Sequence, residues 1–478
     1  MPENLPKILA EFPSKGYVIA PAGYGKTHLI ALAVNESSHR QLILTHTFAG
    51  VNSLKTKLSQ MGVPSSRYQV DTIASWSLRL CLAYPKTSGW VIENPSSEEW
   101  NKLYETCRLM LAKEFIRHVI CCTYAGIYVD EYQDCTELQH TLVCALAEFL
   151  PCRILGDPLQ AIFGFNDKPV DWDSSIYPHF QCLGKLQKPW RWHKEGANKL
   201  LGDWLKEARD ALMDGQKIDL NGALPKGVSK VSVDLNDYQN PKRLNLFYKF
   251  LNDDATVIAM YAGDPQSKNK THNLANKLAG KFSSIEEVEG KDLFAFLKKF
   301  QAAKTVNAGF HLALGFAKKC FTGVDGVLVA GTKRAVLAKP IKTTKPSLIP
   351  ILNAANGYLT EPTSNNLRHF FHLIRDHTNT HIYRRDLHNR FLHVLKIHID
   401  GEASTLLESA HAYHREFRHS GRPIRHTKLI GTTLLVKGLE YDHAIILDAD
   451  SLDAKELYVA MTRGSKSLTI ITNKGSLP

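Results

Sequence analysis

The run Gly126-Ile127-Tyr128-Val129-Asp130-Glu131-Tyr132-Gln133-Asp134 decides how this chain is read. Its first four residues form a short β-branched and aromatic stretch without polar alternation, the pattern of a strand buried on both faces of a parallel sheet. Open α/β sheets bind ligands at the carboxyl ends of such strands. Here the strand delivers two adjacent carboxylates to that end. Asp130 would face the site as a ligand to hydrated Mg²⁺, and Glu131 would take a proton from an attacking water. The pair alone does not decide the matter, because Asp and Glu also favour the first turn of a helix.

A second stretch adds the missing context. Tyr17 to Ala20 reads as a buried strand running into Pro21-Ala22-Gly23-Tyr24-Gly25-Lys26-Thr27, then into a helix-periodic run with Leu29, Ile30, Leu32, Ala33 and Val34. Strand, glycine loop and helix make a phosphate-binding arrangement. Backbone N–H groups around Gly23 and Gly25 can wrap phosphate oxygens because no Cβ stands in the way, with the helix N-terminus behind them. Lys26 supplies a point charge for the β- and γ-phosphates, and Thr27 a hydroxyl for Mg²⁺. Ala20 stands where the strict G-x-x-x-x-G-K-[ST] form has its first glycine, so the flanking strand and helix carry the reading against a plain glycine-rich turn.

Composition sets the bounds. At 478 residues the chain should hold more than one domain, on a prior of roughly 100–200 residues each. It is 44% hydrophobic and 22% charged, as soluble globular proteins are. No apolar run approaches the ~18 residues of a membrane helix, so no membrane partner is expected. Met1 to Gly16 lacks a basic stretch followed by an apolar core, which argues against secretion. Nine cysteines, none in a C-x-x-C spacing, read as reduced thiols of a cytoplasmic protein. Cys107, Cys121, Cys122 and Cys135 make a poor iron–sulfur set, since two are adjacent and the spacings fit no cluster pattern. The surplus of 59 Lys and Arg over 47 acidic residues gives +12, which suits a polyanionic partner.

Further α/β signals flank these two stretches. Gln41 to Leu44 is a strand followed by Thr45-His46-Thr47, and Val70-Asp71-Thr72 has the same character. The hydroxyls of Thr45, Thr47 and Thr72 suit contacts to nucleic-acid phosphates, although singly they are ordinary loop residues. Trp90 to Ile120 reads as an amphipathic helical interlude. Arg153 to Leu155 is a strand leading into Gly156-Asp157-Pro158-Leu159-Gln160-Ala161-Ile162-Phe163-Gly164-Phe165. Gln160 is placed to sense a γ-phosphate. Phe163 and Phe165 offer flat faces to bases, with core packing the competing role. A polar loop from Asp167 to Pro178 suggests a boundary. A second α/β pattern then follows from Leu186, interrupted from Ala302 to about Lys428. Within that interruption Gly331 to Pro350 has five Lys or Arg, three prolines and no acid, as in an extended basic arm. Eleven of the 21 histidines fall between His369 and His426. With no cysteine or paired carboxylate to complete a ligand set, they read as a basic helical surface rather than a metal site.

In order, the segments APAGYGKT, LTHT, VDTIASW, VDEYQD, GDPLQAIFGF, LQKPWR, KGLEYD and LYVAMTR resemble the motifs of superfamily 1 DNA helicases of the UvrD, Rep and PcrA kind. The resemblance covers Tyr17 to Arg191 and Thr432 to Thr472 well. It implies an α/β fold of two RecA-like P-loop domains, parallel sheets flanked by helices, with small, mostly helical inserted subdomains. ATP would lie in the cleft between the domains and single-stranded DNA across the top. The resemblance implies domain limits of 1–182, with a short helical insertion at about 85–120, then 183–301 with 429–478, and a reduced basic insertion at 302–428. It assigns Ala22, Gly23, Gly25, Lys26 and Thr27 to phosphate, Thr27 and Asp130 to Mg²⁺, and Glu131 to the catalytic base. Gln160 would couple nucleotide state to DNA, and Arg191 and Arg463 would meet the γ-phosphate. Trp190 would stack on adenine, with Gly438 and Glu440 near the γ-phosphate and ribose. Thr45, Thr47, Thr72, Phe163 and Phe165 would contact DNA.

Some positions depart from the family pattern. No glutamine-bearing adenine motif precedes Tyr17, His46 stands where a base-stacking phenylalanine is common, Ala74 and Leu434 replace histidines, and Pro189 replaces an asparagine. The small insertions resemble those of the helicase of the Gabija anti-phage system. The implied activity is an ATP- and Mg²⁺-dependent 3′ to 5′ motor on single-stranded or tailed DNA. The alternative is a DNA-sensing, nucleotide-hydrolysing subunit that activates a protein partner, such as a nuclease, in defence or repair.

Overall fold

The computed structural model describes residues 4–96, 98–163, 168–234, 237, 240–251, 254–287, 289–327, 346–420 and 426–478. Phe165 and most of the arm expected at Gly331 to Pro350 lie outside the described residues.

Six strands form the first sheet: β1 (Lys15–Ile19), β2 (Gln41–Thr45), β3 (Tyr68–Thr72), β4 (Gly126–Val129), β5 (Cys152–Gly156) and β6 (Gln181–Lys185). Their order is β3-β2-β4-β5-β1-β6, and every pair is parallel. Every residue of β2, β4 and β5 is buried, which explains why those segments carry apolar residues on both faces. Register brings Ile19 beside Gly156, and Val129 beside both Leu44 and Ile154. The carboxyl ends of β1, β5 and β4 therefore lie side by side, with the glycine loop, Asp130 and Asp157 following directly from them.

Local capping sets where the helices begin. Thr47 accepts from the Gly50 N–H at the start of the helix Phe48–Gln60, and Thr72 from the Ser75 N–H at the start of Ile73–Ala83. Thr136 and Gln139 make a reciprocal capping box on Glu137–Leu146. The interlude before β4 is a helical pair, Glu99–Leu111 and Glu114–Thr123. β6 is the strand that sequence reading missed, and it crosses the position between Cys182 and Leu183 where a boundary was expected. It is half-exposed or exposed throughout and contains Gly184, so no apolar run announces it.

A second six-stranded sheet has the order Ser283–Ser284, Lys428–Thr432, Val257–Tyr261, Tyr441–Ile446, Gly464–Ile471 and Val228–Val231. Between its strands the chain builds a helical layer from Lys291–Gln301, Val306–Cys320, Ile349–Thr360, Ser364–Asp376, Arg385–Ile399 and Leu406–Ser420. Its core is aromatic, with Phe296 stacked on Phe316 at 4.1 Å and Phe391 edge-on to both. Not all the histidines of this region face outward: His388 is fully buried beside Phe321 and Phe371, and His426 bonds Asp386 at 2.8 Å. The rings of His411 and His414 pack on Phe294.

By packing, the chain divides into two compact units, Met1–Val228 with Leu452–Leu468 and Gly475–Pro478, and Ser229–Ser451 with Thr469–Lys474. Among the described residues no helix is long and apolar enough to cross a membrane.

Burial, with the nearby Arg375 charge, pushes the His388 pKa down to about 3. The native state therefore binds no proton there at pH values where the unfolded chain does, between about 6.5 and 3. Stability is intact above that window and falls as pH drops through it, by about 1.4 kcal/mol per pH unit for one such group. Denaturant unfolding at pH 7 and pH 5 should show a smaller acid loss in His388→Leu than in the parent. An unchanged pH dependence would mean that His388 is protonated within the fold.

Candidate nucleotide site

The glycine loop owes its shape to two left-handed residues, Gly23 at φ +75° and Gly25 at φ +89°. Gly23 is also a close approach: a Cβ there would lie 2.7 Å from the Trp192 ring and 2.9 Å from Arg191 Cβ. Gly25 is the N-cap of the helix Lys26–Glu36 and provides no side-chain cap, so that helix offers its first-turn N–H groups to an anion. Lys26 opens the helix and turns back toward β4.

Its Nζ lies 2.6 Å from Glu131 Oε2 and 3.7 Å from Asp130 Oδ1, with Lys26 and Asp130 both buried. Burial opposes the Lys26 charge, but Glu131 and Asp130 together raise its pKa above the ordinary lysine range. Burial pushes the Asp130 pKa up to about 6, with Lys26 pulling it the other way. Glu131 is a non-glycine residue in the left-handed region, at φ +55°. Its neighbours hold it there: its N–H donates to Asp130 Oδ1 at 2.9 Å, and Gln133 Nε2 donates to Glu131 Oε2 at 2.6 Å. Tyr132 points the opposite way, into an aromatic cluster with Trp172 and Phe180, while its hydroxyl pairs with His140. The turn thus sends alternate side chains to the core and to the site.

A fully buried Asp157 follows β5. It bonds Arg209 (Nη2 to Oδ1, 2.7 Å) and accepts from Gln160 Nε2 at 3.1 Å. Arg209 was not singled out from sequence. Arg191 donates to the Thr462 carbonyl at 2.6 Å, and its own N–H donates to the Gly23 carbonyl at 3.0 Å. Arg463 is buried, bonding the Val459 carbonyl at 2.8 Å and the Thr462 hydroxyl at 3.0 Å. Both arginines belong to the packing unit that holds Lys26. Trp190 is 42% exposed beneath the Lys188 ammonium at 3.7 Å. The neighbouring Trp192, also missed from sequence, is buried and donates to the Gly464 carbonyl at 2.8 Å.

The remaining candidates have varied surroundings. Thr45 is buried, with its hydroxyl 2.8 Å from where a Gly50 Cβ would stand, and Thr47 and Thr72 cap helices. Phe163 is 39% exposed. Gly438, at φ +81°, and Glu440 belong to the second unit. That unit also holds the only trio of metal-type ligands among the described residues, His272, Glu286 and Asp292. Arg384 already clasps both of those carboxylates, at 2.6 and 2.5 Å.

The donor set at the glycine loop fits a nucleotide with a hard divalent cation: loop N–H groups, the Lys26 ammonium, the Thr27 hydroxyl and the carboxylates Asp130 and Glu131. Residues 99–172, the segment that contains Asp130, Glu131 and Gln160, match the family described as UvrD/REP helicase N-terminal domain. No curated protein matches the chain. Among solved structures, the Pif1 helicase from Candida albicans aligns with a TM-score of 0.41 at 11% identity, covering 99% of this chain and 95% of that one. An arterivirus nonstructural protein 10 helicase, solved in complex with DNA, aligns with a TM-score of 0.36 at 11% identity. This chain spans 63% of that protein's length, and 98% of this chain is covered. Over residues 99–172, the segment that carries the paired carboxylates, this chain is similar to the UvrD/REP helicase N-terminal domain.

Proposed function

We propose that this protein hydrolyses ATP with Mg²⁺ to drive movement along single-stranded DNA, in the 3′ to 5′ direction of the UvrD pattern. One observation carries the reading: Lys26, at the mouth of a glycine loop and helix N-terminus, is held against Asp130 and Glu131 at the end of β4, two strands away in the sheet. Gly23 and Gly25 let the backbone approach the phosphates, and Lys26 meets the β- and γ-oxygens. Thr27 and Asp130 would hold the divalent cation, which neutralises charge on the transferring phosphoryl group. Glu131 takes the proton of the attacking water. Arg191 and Arg463 contribute positive charge, the form of catalysis on which phosphoryl transfer chiefly depends. Trp190 offers a ring to the base, Gln160 reports nucleotide state, and Gly438 and Glu440 enter by motif alone. Phe163 and Phe165 would stack on DNA bases, with Thr45, Thr47 and Thr72 near the strand's phosphates.

A second reading, a nucleotide-hydrolysing subunit that activates a protein partner in defence or repair, draws support from one feature. The short helical insertion leaves Val91, Leu109 and Phe115 exposed, apolar surface that a protein partner would cover. Unwinding assays on the purified chain separate the two readings. Processive strand separation without a partner favours the motor. DNA-stimulated hydrolysis without separation favours the subunit.

Glu131→Gln should retain nucleotide binding while turnover falls by about 10²–10⁴. Lys26→Ala should weaken nucleotide binding itself. Binding titrations beside steady-state hydrolysis distinguish the two, and near-parental turnover in Glu131→Gln would remove Glu131 from its role. For DNA, Phe163→Ala should weaken single-strand affinity by about 1–3 kcal/mol. Affinity should also fall with salt at a log–log slope of about −0.7 per phosphate neutralised. Unchanged affinity in a folded Phe163→Ala would return that ring to packing.

A further inference from the structure

The site has a continuation away from the nucleotide loop, built of buried polar groups. Gln133 is fully buried and uses both ends of its amide: Nε2 donates to Glu131 Oε2 at 2.6 Å, and Oε1 accepts the Asp157 N–H at 3.1 Å. Asp157 is fixed in turn by Arg209, through Nη2 to Oδ1 at 2.7 Å and Nε to Oδ2 at 3.4 Å, and it also takes Gln160 on Oδ2. Arg209 is 3% exposed and sits on the helix Lys199–Met213, 52 residues beyond Asp157. Gly156 is shaped to the chain of contacts, since a Cβ there would lie 2.7 Å from Gln133 Oε1. A buried ion pair of this kind is a poor source of net stability compared with apolar packing. What it supplies is a fixed direction for the groups bonded to it.

We propose that Gln133 and Arg209 are positioning residues for the hydrolytic reaction, joined by Asp157 into a relay that aims the Glu131 carboxylate and the Gln160 amide together. The proposal rests on the reading of Glu131 as the base. An ammonium alone leaves the carboxylate free to rotate about it, because Lys26 is a point charge. The Gln133 amide selects one oxygen, Oε2, and leaves the other oxygen's direction defined. Arg209 acts one step further back: by holding the Asp157 carboxylate it sets the backbone N–H that orients Gln133. Since the same carboxylate carries Gln160, a change in the position of the Arg209 helix would be felt at the base and at the amide at once. Such placement matters to turnover more than to nucleotide affinity, because a misaimed base slows the chemistry while the loop and Lys26 still bind phosphate.

The test uses the full chain and ATP, with single-stranded DNA present at saturation. Gln133→Leu and Arg209→Ala should each lower kcat tenfold or more while KM for ATP moves less than threefold, and Arg209→Lys should recover part of the loss. In a Glu131→Gln background, adding Arg209→Ala should lower the residual rate by far less than it does in the parent, because the relay then has no base to aim and only its Gln160 arm remains. A further proportional drop in that background would show a general structural role and overturn the proposal, as would parental kcat in folded Gln133→Leu. If Arg209→Ala does not fold, Gly156→Ala crowds Gln133 without removing a charge and should give the same loss of kcat. Parental kcat in folded Gly156→Ala would count against the relay. Failure of the underlying reading looks different: either the parent does not hydrolyse ATP, or Glu131→Gln alone turns over normally.

Discussion

A lysine ammonium buried against two adjacent carboxylates is the constraint around which the first unit is arranged. Removing such charges from water costs several kcal/mol each, and mutual attraction repays this only when geometry is good and the remaining hydrogen-bonding positions are filled. Lys26 reaches Glu131 at 2.6 Å because a glycine loop turns sharply after β1, and because β4 ends two strands away with its carboxylates at the same level. The parallel order β4-β5-β1 is what makes that possible. It also brings Asp157, from the end of β5, between the two.

Keeping the cluster in place requires unfavourable backbone at one point and close packing at another. Glu131 sits in the left-handed region without being glycine, a conformation that costs on the order of 1–3 kcal/mol and persists only where the surroundings over-determine it. Here Asp130, Gln133 and the burial of Tyr132 do so together. At Gly23 the constraint is space: Trp192 lies where a Cβ would point. The loop is therefore supported from behind by a residue 169 positions away in sequence, and the ring owes its own position to the Gly464 carbonyl.

This separation explains what could be read from the sequence. Strand, loop and helix around Lys26, and the apolar run before Asp130, are local patterns, and they were found because a buried parallel strand leaves a compact signature. β6 left none, being half-exposed or exposed along its length and interrupted by Gly184. Arg209 lies on an amphipathic helix where a charged residue is unremarkable, and only the fold turns it inward to Asp157. Gln133 was visible inside DEYQD, but its double use of one amide depends on where β5 ends. The threonines show the opposite problem. Thr47 and Thr72 have the spacing of helix caps as well as of phosphate contacts, and in the structure each caps a helix. The histidines were read as surface from composition alone, whereas aromatic neighbours enclose His388 and a carboxylate engages His426.

The charge pattern at the cluster suggests how binding would redistribute it. In the structure one ammonium balances two carboxylates, Asp130 buried and Glu131 half-exposed. Burial makes Asp130 reluctant to ionise, a reluctance that a divalent cation beside it would remove. Phosphate at the loop would at the same time draw on Lys26, whose charge is held in place by the same pair. Cation and phosphate therefore each relieve an imbalance that the other creates: phosphate alone would take the ammonium from Asp130 and Glu131, and a cation alone would add charge beside Lys26. Cooperative binding of the two is the arrangement these charges favour, with Lys26 and Gln133 both meeting the Oε2 oxygen of Glu131 in the structure.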